Sequence, residues 1–475
     1  MSYCIDELLN EGVQRFGEDD YIYERSGDAF AGRSFAQFAS DVRALAGALC
    51  KRGLSGKKII LFGENSYNYM VADIAVMGYV GVSATLSKEW QARDLINAAE
   101  LLDAAAVIYS AQKREVVSEL REIYPQLDFI CFDDIPTLTA EGETAPSPLP
   151  TDICCKIIFS SGTTGIPKAV MLSQDNMFAN WESLAKRTPF THDDKDYLFL
   201  PLSHTYGGIC NFLYSLISGM RLYICSDTKL IMEELQMVKP TVFCSVPLIY
   251  EKVYAACAAG NIPPAAVFGG NVRYLFSGGA YFRPEIRKFL KENGLNLLEA
   301  YGLSETSSLI SCEYTNATDH ESVGTVLENM EIRTDAPDGI SEGEIIVRGG
   351  NVFMGYYNAP AATAAALDEN GWFRTGDIGY LSGGKLYVKG RKRRMILLSN
   401  GENVYPDELE ALFGEYPQLN RVKVYERDGA IWATLYASAE CSGEDILAEV
   451  NARVPKFARI SGCEVIRDSI ETRMK

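Results

Sequence analysis

The most informative stretch of the chain is Ile157-Ile158-Phe159-Ser160-Ser161-Gly162-Thr163-Thr164-Gly165-Ile166-Pro167-Lys168. An apolar strand pattern runs into a bend rich in hydroxyls and glycines, and a second apolar run at residues 169–172 follows the lysine. Glycines let backbone amides approach an anion closely, hydroxyls donate hydrogen bonds and the lysine adds a positive charge. The pattern predicts a strand–loop–strand unit that cradles a polyphosphate, with an ordinary Ser/Thr/Gly hairpin turn as the alternative.

The bend differs from two other phosphate-binding motifs. The pattern G-x-x-x-x-G-K-[ST] does not fit, and a strand rather than a helix is expected after the lysine. No G-x-G occurs anywhere in the chain, so a dinucleotide fingerprint is absent as well.

The segments before this stretch alternate between helix and strand patterns. Ser34 is placed to cap a helix whose apolar residues run from Phe35 to Leu49, and strands are expected at 57–62, 80–86 and 105–109. A helix is expected around residues 69–77, and residues 134–152, rich in Pro, Thr, Ala and acids, are expected to form an exposed connection. Strand–helix–strand alternation predicts an α/β fold with parallel sheets.

The pattern changes after about residue 324. Short β-like runs with glycine-rich turns occur at 343–350 and 386–388, and a compact segment follows Gly390. That segment shows helix patterns near 406–413 and 444–454 and strand patterns at 422–425 and 430–437. We therefore predict two domains: residues 1–390, with α/β layers and a β-rich subdomain, and residues 391–475, a small α+β domain.

Composition excludes some classes of function. The 475 residues carry 45 Lys+Arg and 63 Asp+Glu, a net charge of −18, which argues against a nucleic-acid-binding surface. Anionic small ligands remain possible, because charges more than about 8 Å away are screened at physiological salt. The twelve cysteines show no metal-ligand or disulfide spacing and are expected to be free thiols in a reducing compartment. No apolar run is long enough to span a membrane and the start does not resemble a signal peptide, so a cytoplasmic protein is expected.

Four segments later in the chain are informative when they are considered together with the hydroxyl-rich bend. They are Ser277-Gly278-Gly279-Ala280, Tyr301-Gly302-Leu303-Ser304-Glu305-Thr306, Trp372-Phe373-Arg374-Thr375-Gly376-Asp377, and the basic run Lys389-Gly390-Arg391-Lys392-Arg393-Arg394 with Ser399-Asn400-Gly401-Glu402-Asn403 after it. Taken singly, they have ordinary interpretations as a tight turn, a capped helix start, a hairpin turn and a solvated charged face.

Together, in this order and spacing, the five segments resemble the adenylate-forming superfamily of acyl-CoA synthetases, peptide-synthetase adenylation domains and luciferases. The resemblance covers nearly the whole chain. It implies a large N-terminal domain, a small mobile C-terminal domain, an active site between them, ATP with Mg²⁺, and an acyl-adenylate formed with release of pyrophosphate.

The resemblance also implies roles for individual residues. It places a phosphate-binding loop at Ser160, Ser161, Gly162, Thr163, Thr164, Gly165 and Lys168, with Thr163 and Lys168 acting in catalysis. Gly279 and Ala280 are assigned to the adenine and acyl pockets. The adenosine part of the nucleotide is assigned to Tyr301, Gly302, Ser304, Asp377 and Arg391. Glu305 is the implied Mg²⁺ ligand, Arg393 the hinge, and Gly401 the glycine that lines the tunnel for the pantetheine arm of CoA.

The substrate segment is Leu198-Phe199-Leu200-Pro201-Leu202-Ser203-His204-Thr205-Tyr206-Gly207-Gly208. The resemblance places His204 at the gate of the acyl pocket, with a satisfied core histidine as the alternative. No Asp or Glu lies between Tyr197 and Ser226. Since a buried substrate ammonium needs a charged partner, this favours an uncharged acyl chain. Residues 246–254 are similar to fatty-acyl-CoA synthetases in particular.

The family also has a catalytic lysine in a C-terminal loop, and this chain finishes Ser469-Ile470-Glu471-Thr472-Arg473-Met474-Lys475. Either Lys475 is that lysine at a shifted spacing, or the motif stops one residue before it.

The sequence thus predicts an acid–thiol ligase of the acyl-CoA synthetase type. The expected partners are a carboxylic acid, with a fatty acid as the expected substrate, together with ATP and CoA. Two alternatives stay open: an adenylating enzyme that loads an acyl carrier protein, and a catalytically weak nucleotide- or acyl-binding protein.

Overall fold

The computed structural model describes residues 3–140, 144–160, 168–260, 262–398 and 403–467. Within these ranges the chain forms four sheets with helices packed against them.

The α-helices are α1 (Ile5–Phe16), α2 (Phe35–Lys51), α3 (Tyr67–Ala75), α4 (Ala92–Leu102), α5 (Arg114–Ile123), α6 (Ile135–Ala140), α7 (Gln174–Phe178), α8 (Trp181–Arg187), α9 (Tyr214–Ser218), α10 (Ile231–Val238), α11 (Pro247–Gly260), α12 (Pro264–Val267), α13 (Pro284–Glu292), α14 (Pro360–Ala366), α15 (Pro406–Ala411) and α16 (Gly443–Asn451). Two π-helices span Val76–Val80 and Tyr206–Leu213, and short 3₁₀ helices span Ala111–Lys113, Phe132–Asp134, Thr228–Leu230, Ser304–Thr306, Leu412–Glu415 and Lys456–Ala458.

The strands are β1 (Asp20–Ser26), β2 (Ala29–Ser34), β3 (Lys58–Phe62), β4 (Val82–Leu86), β5 (Ala106–Tyr109), β6 (Asp128–Cys131), β7 (Lys156–Ser160), β8 (Lys168–Leu172), β9 (Lys195–Leu198), β10 (Arg221–Ile224), β11 (Val242–Ser245), β12 (Tyr274–Ser277), β13 (Leu297–Tyr301), β14 (Ser311–Cys312), β15 (Thr325–Val326), β16 (Met330–Thr334), β17 (Gly343–Gly349), β18 (Gly355–Tyr356), β19 (Phe373–Ser382), β20 (Lys385–Arg391), β21 (Ile396–Leu397), β22 (Asn403–Val404), β23 (Leu419–Arg427), β24 (Ala430–Ala437) and β25 (Gly462–Arg467).

Two large sheets form the main body. The seven-stranded sheet has the order β18-β8-β7-β4-β3-β5-β6, and its strands from β7 to β6 are parallel. The thirteen-stranded sheet has the order β16-β17-β19-β20-β15-β14-β13-β12-β11-β9-β10-β1-β2. It is parallel from β13 to β1 and antiparallel from β13 to β16, so the predicted β-rich region continues a parallel sheet.

Alternation within a parallel strand explains how the sheet is buried on both faces. In β3, Ile59 and Leu61 belong to the main hydrophobic cluster, which includes strand residues of both large sheets, whereas Ile60 and Phe62 belong to a second cluster that includes residues of α4 and α5. Successive strand side chains point to opposite faces, so a strand apolar at every position requires cover on both sides.

The C-terminal segment has a hydrophobic core of its own. The buried side chains of that cluster all come from residues 396–460, and the three-stranded sheet β23-β24-β25 is separate from the large sheets. Strand β20, which belongs to the thirteen-stranded sheet, ends at Arg391. The domain boundary between residues 390 and 391 stays a prediction.

Most of the expected elements are present. Helix α2 begins at Phe35, and Ser34 caps it by accepting a hydrogen bond from the Gln37 amide at 3.2 Å. The strand after Lys168 is β8, and it pairs antiparallel with β7. Helix α3 begins at Tyr67 rather than near residue 69, because the Ser66 hydroxyl accepts a hydrogen bond from the Tyr69 amide and caps it earlier.

The expectation of an exposed connection over 134–152 is wrong at its start. Residues 135–140 form α6, and Ile135 and Leu138 are buried in the main hydrophobic cluster. Two apolar residues three apart lie on one face of a helix, and here packing overrides a composition typical of a loop.

Each of the twelve cysteines is free, and five are buried.

Candidate active site

The two ends of the predicted phosphate loop lie side by side. Ser160 closes β7 and Lys168 opens β8, and the two residues pair directly across the hairpin. The Ser160 hydroxyl contacts the Lys168 carbonyl oxygen at 3.5 Å. The loop residues between them, Ser161, Gly162, Thr163, Thr164 and Gly165, lie outside the described residues, as do Gly401 and Lys475. The strand–loop–strand arrangement is therefore confirmed at its two strands.

Glu305 and Lys168 meet at one tyrosine. The Tyr356 hydroxyl donates to Oε1 of Glu305 at 2.8 Å, and the Lys168 ammonium lies 4.4 Å from the centre of the Tyr356 ring. Glu305 is buried in the short helix Ser304–Thr306, which follows the end of β13. Burial and the neighbouring Glu305 charge raise the pKa of Tyr356, so its hydroxyl is a donor at neutral pH.

A second cluster joins Tyr301, Asp377 and Arg391. Tyr301 ends β13 and donates its hydroxyl to Oδ2 of Asp377 at 2.6 Å. Arg391 ends β20 and places Nε 3.0 Å from Oδ1 of the same carboxylate. Asp377 and Arg391 are partners across the β19–β20 pair, so sheet register brings these two segments together.

Asp377 is a buried carboxyl with an altered acidity. It is 4% exposed, and burial raises its pKa to about 6 although Arg391 and the Tyr301 hydroxyl act in the opposite direction. The charge of Glu305 adds to this rise. The two clusters therefore lie within electrostatic reach of each other.

A cavity of about 930 Å³ opens beside the second cluster. Its walls come from the large sheet and from the C-terminal segment, including Tyr405, Leu412 and Phe457. Six predicted site residues line it: Gly279, Ala280, Tyr301, Gly302, Asp377 and Arg391. Ser160, Lys168, His204, Ser304 and Glu305 are described but do not line this cavity.

Gly279 shows why the predicted glycine-rich element needs its composition. Its φ of +82° is in the left-handed region that favours glycine, and an added Cβ would have only Val246 as a neighbour, at 3.9 Å. The backbone at this wall of the cavity therefore carries no side chain.

The environment of Glu305 fits a hard divalent cation. Among the described residues only Tyr356 hydrogen-bonds to its carboxylate, which leaves Oε2 available. Mg²⁺ takes oxygen ligands and commonly uses one or two carboxylates together with substrate phosphates and water. In the described part of the chain no cluster of three or more metal-ligating side chains exists, so a cation here would depend on such additional oxygens.

The basic run at 389–394 is largely paired with the protein's own carboxylates. Lys389 lies 3.5 Å from Glu408, Lys392 lies 2.9 Å from Glu344, and Arg394 contacts Asp407 and Glu410. Lys389 and Arg391 also line the large cavity.

His204 lies at an exposed bend before the π-helix Tyr206–Leu213. Partial desolvation lowers the pKa of its ring, so the imidazole is neutral at pH 7. Tyr206, two residues further on, lines a second, small cavity of about 20 Å³ whose other walls are mostly apolar. That cavity holds about one water molecule.

Sequence reasoning missed Asp196, which lines this small cavity. Asp196 is fully buried, accepts a hydrogen bond from the Asn211 amide at 2.8 Å, and leaves Oδ1 without a partner. Burial raises its pKa to about 7. Asp196 lies one residue before the segment from Tyr197 to Ser226, and β9 places it next to Lys195, so the local sequence gives no signal that this side chain is buried.

Comparison with known proteins identifies the family. A family model described as AMP-binding enzyme matches residues 10–357, about three quarters of the chain. The chain belongs to the AMP-binding enzyme family. The predicted resemblance and the predicted enzyme class are both confirmed at this level.

Curated relatives of this AMP-binding protein are named as CoA ligases and synthetases. A peroxisomal long chain acyl-CoA synthetase of Arabidopsis thaliana is 31% identical over 61% of the chain, and the match spans 48% of the plant protein. A long-chain-fatty-acid–CoA ligase of Mycobacterium bovis is 27% identical over 86% of the chain and 78% of the relative. A 2-succinylbenzoate–CoA ligase of Bacillus cereus is 28% identical over 89% of the chain and 88% of the relative.

Solved structures share the fold of the AMP-binding protein over nearly its whole length. O-succinylbenzoate coenzyme A synthetase from Bacillus subtilis in complex with AMP has a TM-score of 0.83 at 22% identity, and covers 97% of this chain and 94% of that one. An anthranilate CoA ligase in complex with anthranoyl-AMP has a TM-score of 0.85 at 15% identity over 98% and 94%. The predicted α/β fold with an additional C-terminal unit is confirmed.

None of the helices in the described ranges has both the length and the apolar character that a membrane span requires.

Proposed function

We propose that this AMP-binding protein joins a carboxylic acid to the thiol of CoA through an acyl-adenylate. The observation that carries the proposal is the Tyr301–Asp377–Arg391 cluster at the wall of a cavity large enough for a nucleotide. An aromatic face, an acceptor for two ribose hydroxyls and a guanidinium suit adenosine at one site. The names of the curated relatives support the same reaction.

The reaction has two balanced steps. In the first, a carboxylate oxygen of the acid attacks the α-phosphorus of ATP, and the bond to the pyrophosphate oxygen breaks. In the second, the CoA thiol, having lost its proton, attacks the acyl carbon and AMP leaves. Both steps need positioning and charge stabilisation more than covalent participation by the protein.

The residues of this chain are assigned as follows. Ser160, Lys168 and the loop 161–165, with Thr163 among them, bind the β- and γ-phosphates, while Tyr301 and Asp377 hold adenine and ribose. Glu305 holds Mg²⁺, which when bound offsets negative charge on the phosphates. Gly279, Ala280, Gly302 and Ser304 shape the nucleotide site, and His204 gates the acyl pocket. Residues 391–475 rotate about Arg393, which places Gly401 against the pantetheine arm and Lys475 at the acid.

For the acid we propose a fatty acid. Long-chain ligases among the relatives support this choice. An aromatic dicarboxylic acid such as 2-succinylbenzoate is the second candidate, because the Bacillus cereus relative matches this chain over 89% of its length.

An acid-dependent pyrophosphate exchange assay tests the first step. The panel contains straight-chain acids from C4 to C18, 2-succinylbenzoate and one α-amino acid, with ATP and Mg²⁺ present. We expect exchange with at least one fatty acid and none with the amino acid. Exchange with 2-succinylbenzoate alone would select the second candidate, and no exchange with any acid would overturn the proposed activity.

Two further measurements sharpen the test. Glu305→Gln should depress exchange about 100-fold, because a charged interaction made at the phosphates is lost, while its thermal unfolding stays close to that of the wild type. Glu331→Gln, at an exposed carboxylate on β16, serves as the matched control. Thioester formed with CoA supports the second step, whereas thioester formed only on an acyl carrier protein would reassign the acceptor.

A further inference from the structure

We propose that Tyr356 is a positioning residue that sets the arrangement of Glu305 and Lys168 for a magnesium–nucleotide complex. The inference rests on the proposed function and adds a residue that none of the sequence motifs above includes. It follows from how Tyr356 is fixed, how it contacts Glu305 and where it places Lys168.

The backbone and ring of Tyr356 are held from several sides. Strand β18 pairs antiparallel with β8, and Tyr356 lies opposite Val170. Its amide donates to the Thr363 hydroxyl at 2.9 Å, and its ring meets the Phe353 ring edge-on at 4.8 Å. The side chain is 5% exposed. A phenol held this firmly orients its hydroxyl at little entropic cost.

The segment around Tyr356 holds Glu305 at two points. The Phe353 amide donates to the Glu305 carbonyl oxygen at 2.8 Å, and the Tyr356 hydroxyl donates to Oε1 at 2.8 Å. The first bond fixes the backbone of the short helix and the second fixes the carboxylate. One carboxylate oxygen is thereby occupied and the other is left for a cation.

The ring of Tyr356 also determines where the Lys168 ammonium lies. Lys168 is two residues from Val170 on β8, so it shares a face with Tyr356 across the strand pair. Its ammonium rests on the ring at 4.4 Å from the centroid, a cation–π contact. Among the described residues, no ion pair joins Lys168 to Glu305. The tyrosine thus keeps opposite charges near each other without letting them neutralise each other, so each stays available, one for a cation and one for phosphate.

Tyr356→Phe removes the hydroxyl and keeps the ring. The probe is Mn²⁺ in place of Mg²⁺, followed by the electron paramagnetic resonance signal of the free ion in the presence of a saturating non-hydrolysable ATP analogue. We expect Mn²⁺ to bind Tyr356→Phe about tenfold more weakly than it binds the wild type, since one hydrogen bond to a charged group is lost. Affinity for the metal-free nucleotide should stay within twofold, because the cation–π contact is retained.

Two further variants separate positioning from folding. Tyr357→Phe is the matched control: its ring lies 5.7 Å from the Lys58 ammonium, and it should bind both Mn²⁺ and nucleotide as the wild type does. Tyr356→Leu removes the ring as well, and should weaken the binding of metal-free nucleotide in addition, because Lys168 can then close on Glu305.

The outcomes distinguish this inference from the proposed function. Equal Mn²⁺ affinities for the wild type and Tyr356→Phe would overturn the role of Tyr356 while leaving acyl activation intact. A wild type with no metal-dependent nucleotide binding would overturn both. A third outcome is that Tyr356→Phe binds Mn²⁺ more weakly than the wild type, but the wild type catalyses no pyrophosphate exchange with any acid. That outcome would support the positioning role of Tyr356 and reject acyl activation.

Discussion

Asp377 combines two opposing demands in one side chain. Burial raises its pKa to about 6, whereas acceptance of hydrogen bonds from ribose hydroxyls requires the ionised carboxylate. Arg391 at 3.0 Å and the Tyr301 hydroxyl at 2.6 Å favour the ionised form without restoring the ordinary acidity. The residue is therefore close to a change of charge in the pH range in which enzymes are assayed.

We expect nucleotide affinity to fall as the pH is lowered from 7 to 5. With a pKa of about 6, the ionised fraction of Asp377 drops from about 90% to about 10% over this range. Isothermal titration with ATP at constant ionic strength measures the effect. Asp377→Asn should bind ATP about tenfold more weakly at pH 7 and should lack this pH dependence. The ratio of wild-type to variant affinity cancels the titration of ATP itself, and a ratio that does not change with pH would contradict the prediction.

The same raised pKa has a stability consequence of defined sign. Because the folded pKa lies above the ordinary value of about 4, the stability associated with Asp377 is fully present below pH 4 and is lost as the pH rises towards 6. Asp377→Asn should therefore unfold at a higher temperature than the wild type at pH 8 and lose this advantage at pH 4.

At the scale of elements, β7 is fastened to its surroundings by a buried ion pair. The Lys156 ammonium contacts both carboxylate oxygens of Asp73 on α3, at 2.6 and 2.8 Å, and each side chain is 1% exposed. Ser83 on β4 donates to the same carboxylate at 2.5 Å. Since β7 carries the predicted phosphate loop at its other end, this network fixes the strand that presents the loop.

Lys156→Met should destabilise the fold by about 3–5 kcal/mol, because Asp73 is left as a buried charge with no cationic partner. Combining it with Asp73→Leu should recover most of the loss. Urea unfolding followed by fluorescence measures both variants. Arg348→Ala, which breaks an exposed pair with Glu331, is the control and should cost less than about 1 kcal/mol. A loss of under 1 kcal/mol for Lys156→Met would show that water or relaxation compensates Asp73.

Elements were predictable where local patterns and tertiary packing agree. The Ser34 cap, the apolar run of β3 and the hairpin β7–β8 are local features, and the structure has them. Helix α6 was not predictable, because its stability comes from packing against α2 rather than from its composition. The contacts of Tyr356 and Asp196 could not be predicted from the sequence for a related reason. Each is a hydrogen bond to a residue in another element.

At the scale of the whole molecule, the motif order predicted the architecture but not how its parts contact each other. The large cavity has walls from both the main body and residues 403–458, and no local pattern fixes that juxtaposition. Arg283, which is 2% exposed, makes ion pairs between the two parts. Arg283 lies 2.9 Å from Glu415 and 3.5 Å from Glu251, so it joins the C-terminal segment to α11.

Glu415→Gln should loosen the C-terminal segment from the main body. The substitution weakens the pair with Arg283 and the pair with Arg453 at 2.8 Å, while the hydrophobic core of residues 396–460 is untouched. Glu415 is itself 42% exposed, so we expect a cost of about 1 kcal/mol, which corresponds to about fivefold faster opening.

Hydrogen exchange of the amides in Leu412–Glu415 and α13 measures this opening, with Arg348→Ala as a control that should leave these amides unchanged. Higher salt should speed exchange in the wild type and have less effect in the variant, because screening and the substitution weaken the same ion pairs. Unchanged exchange in Glu415→Gln would mean that apolar contacts alone hold the two parts together.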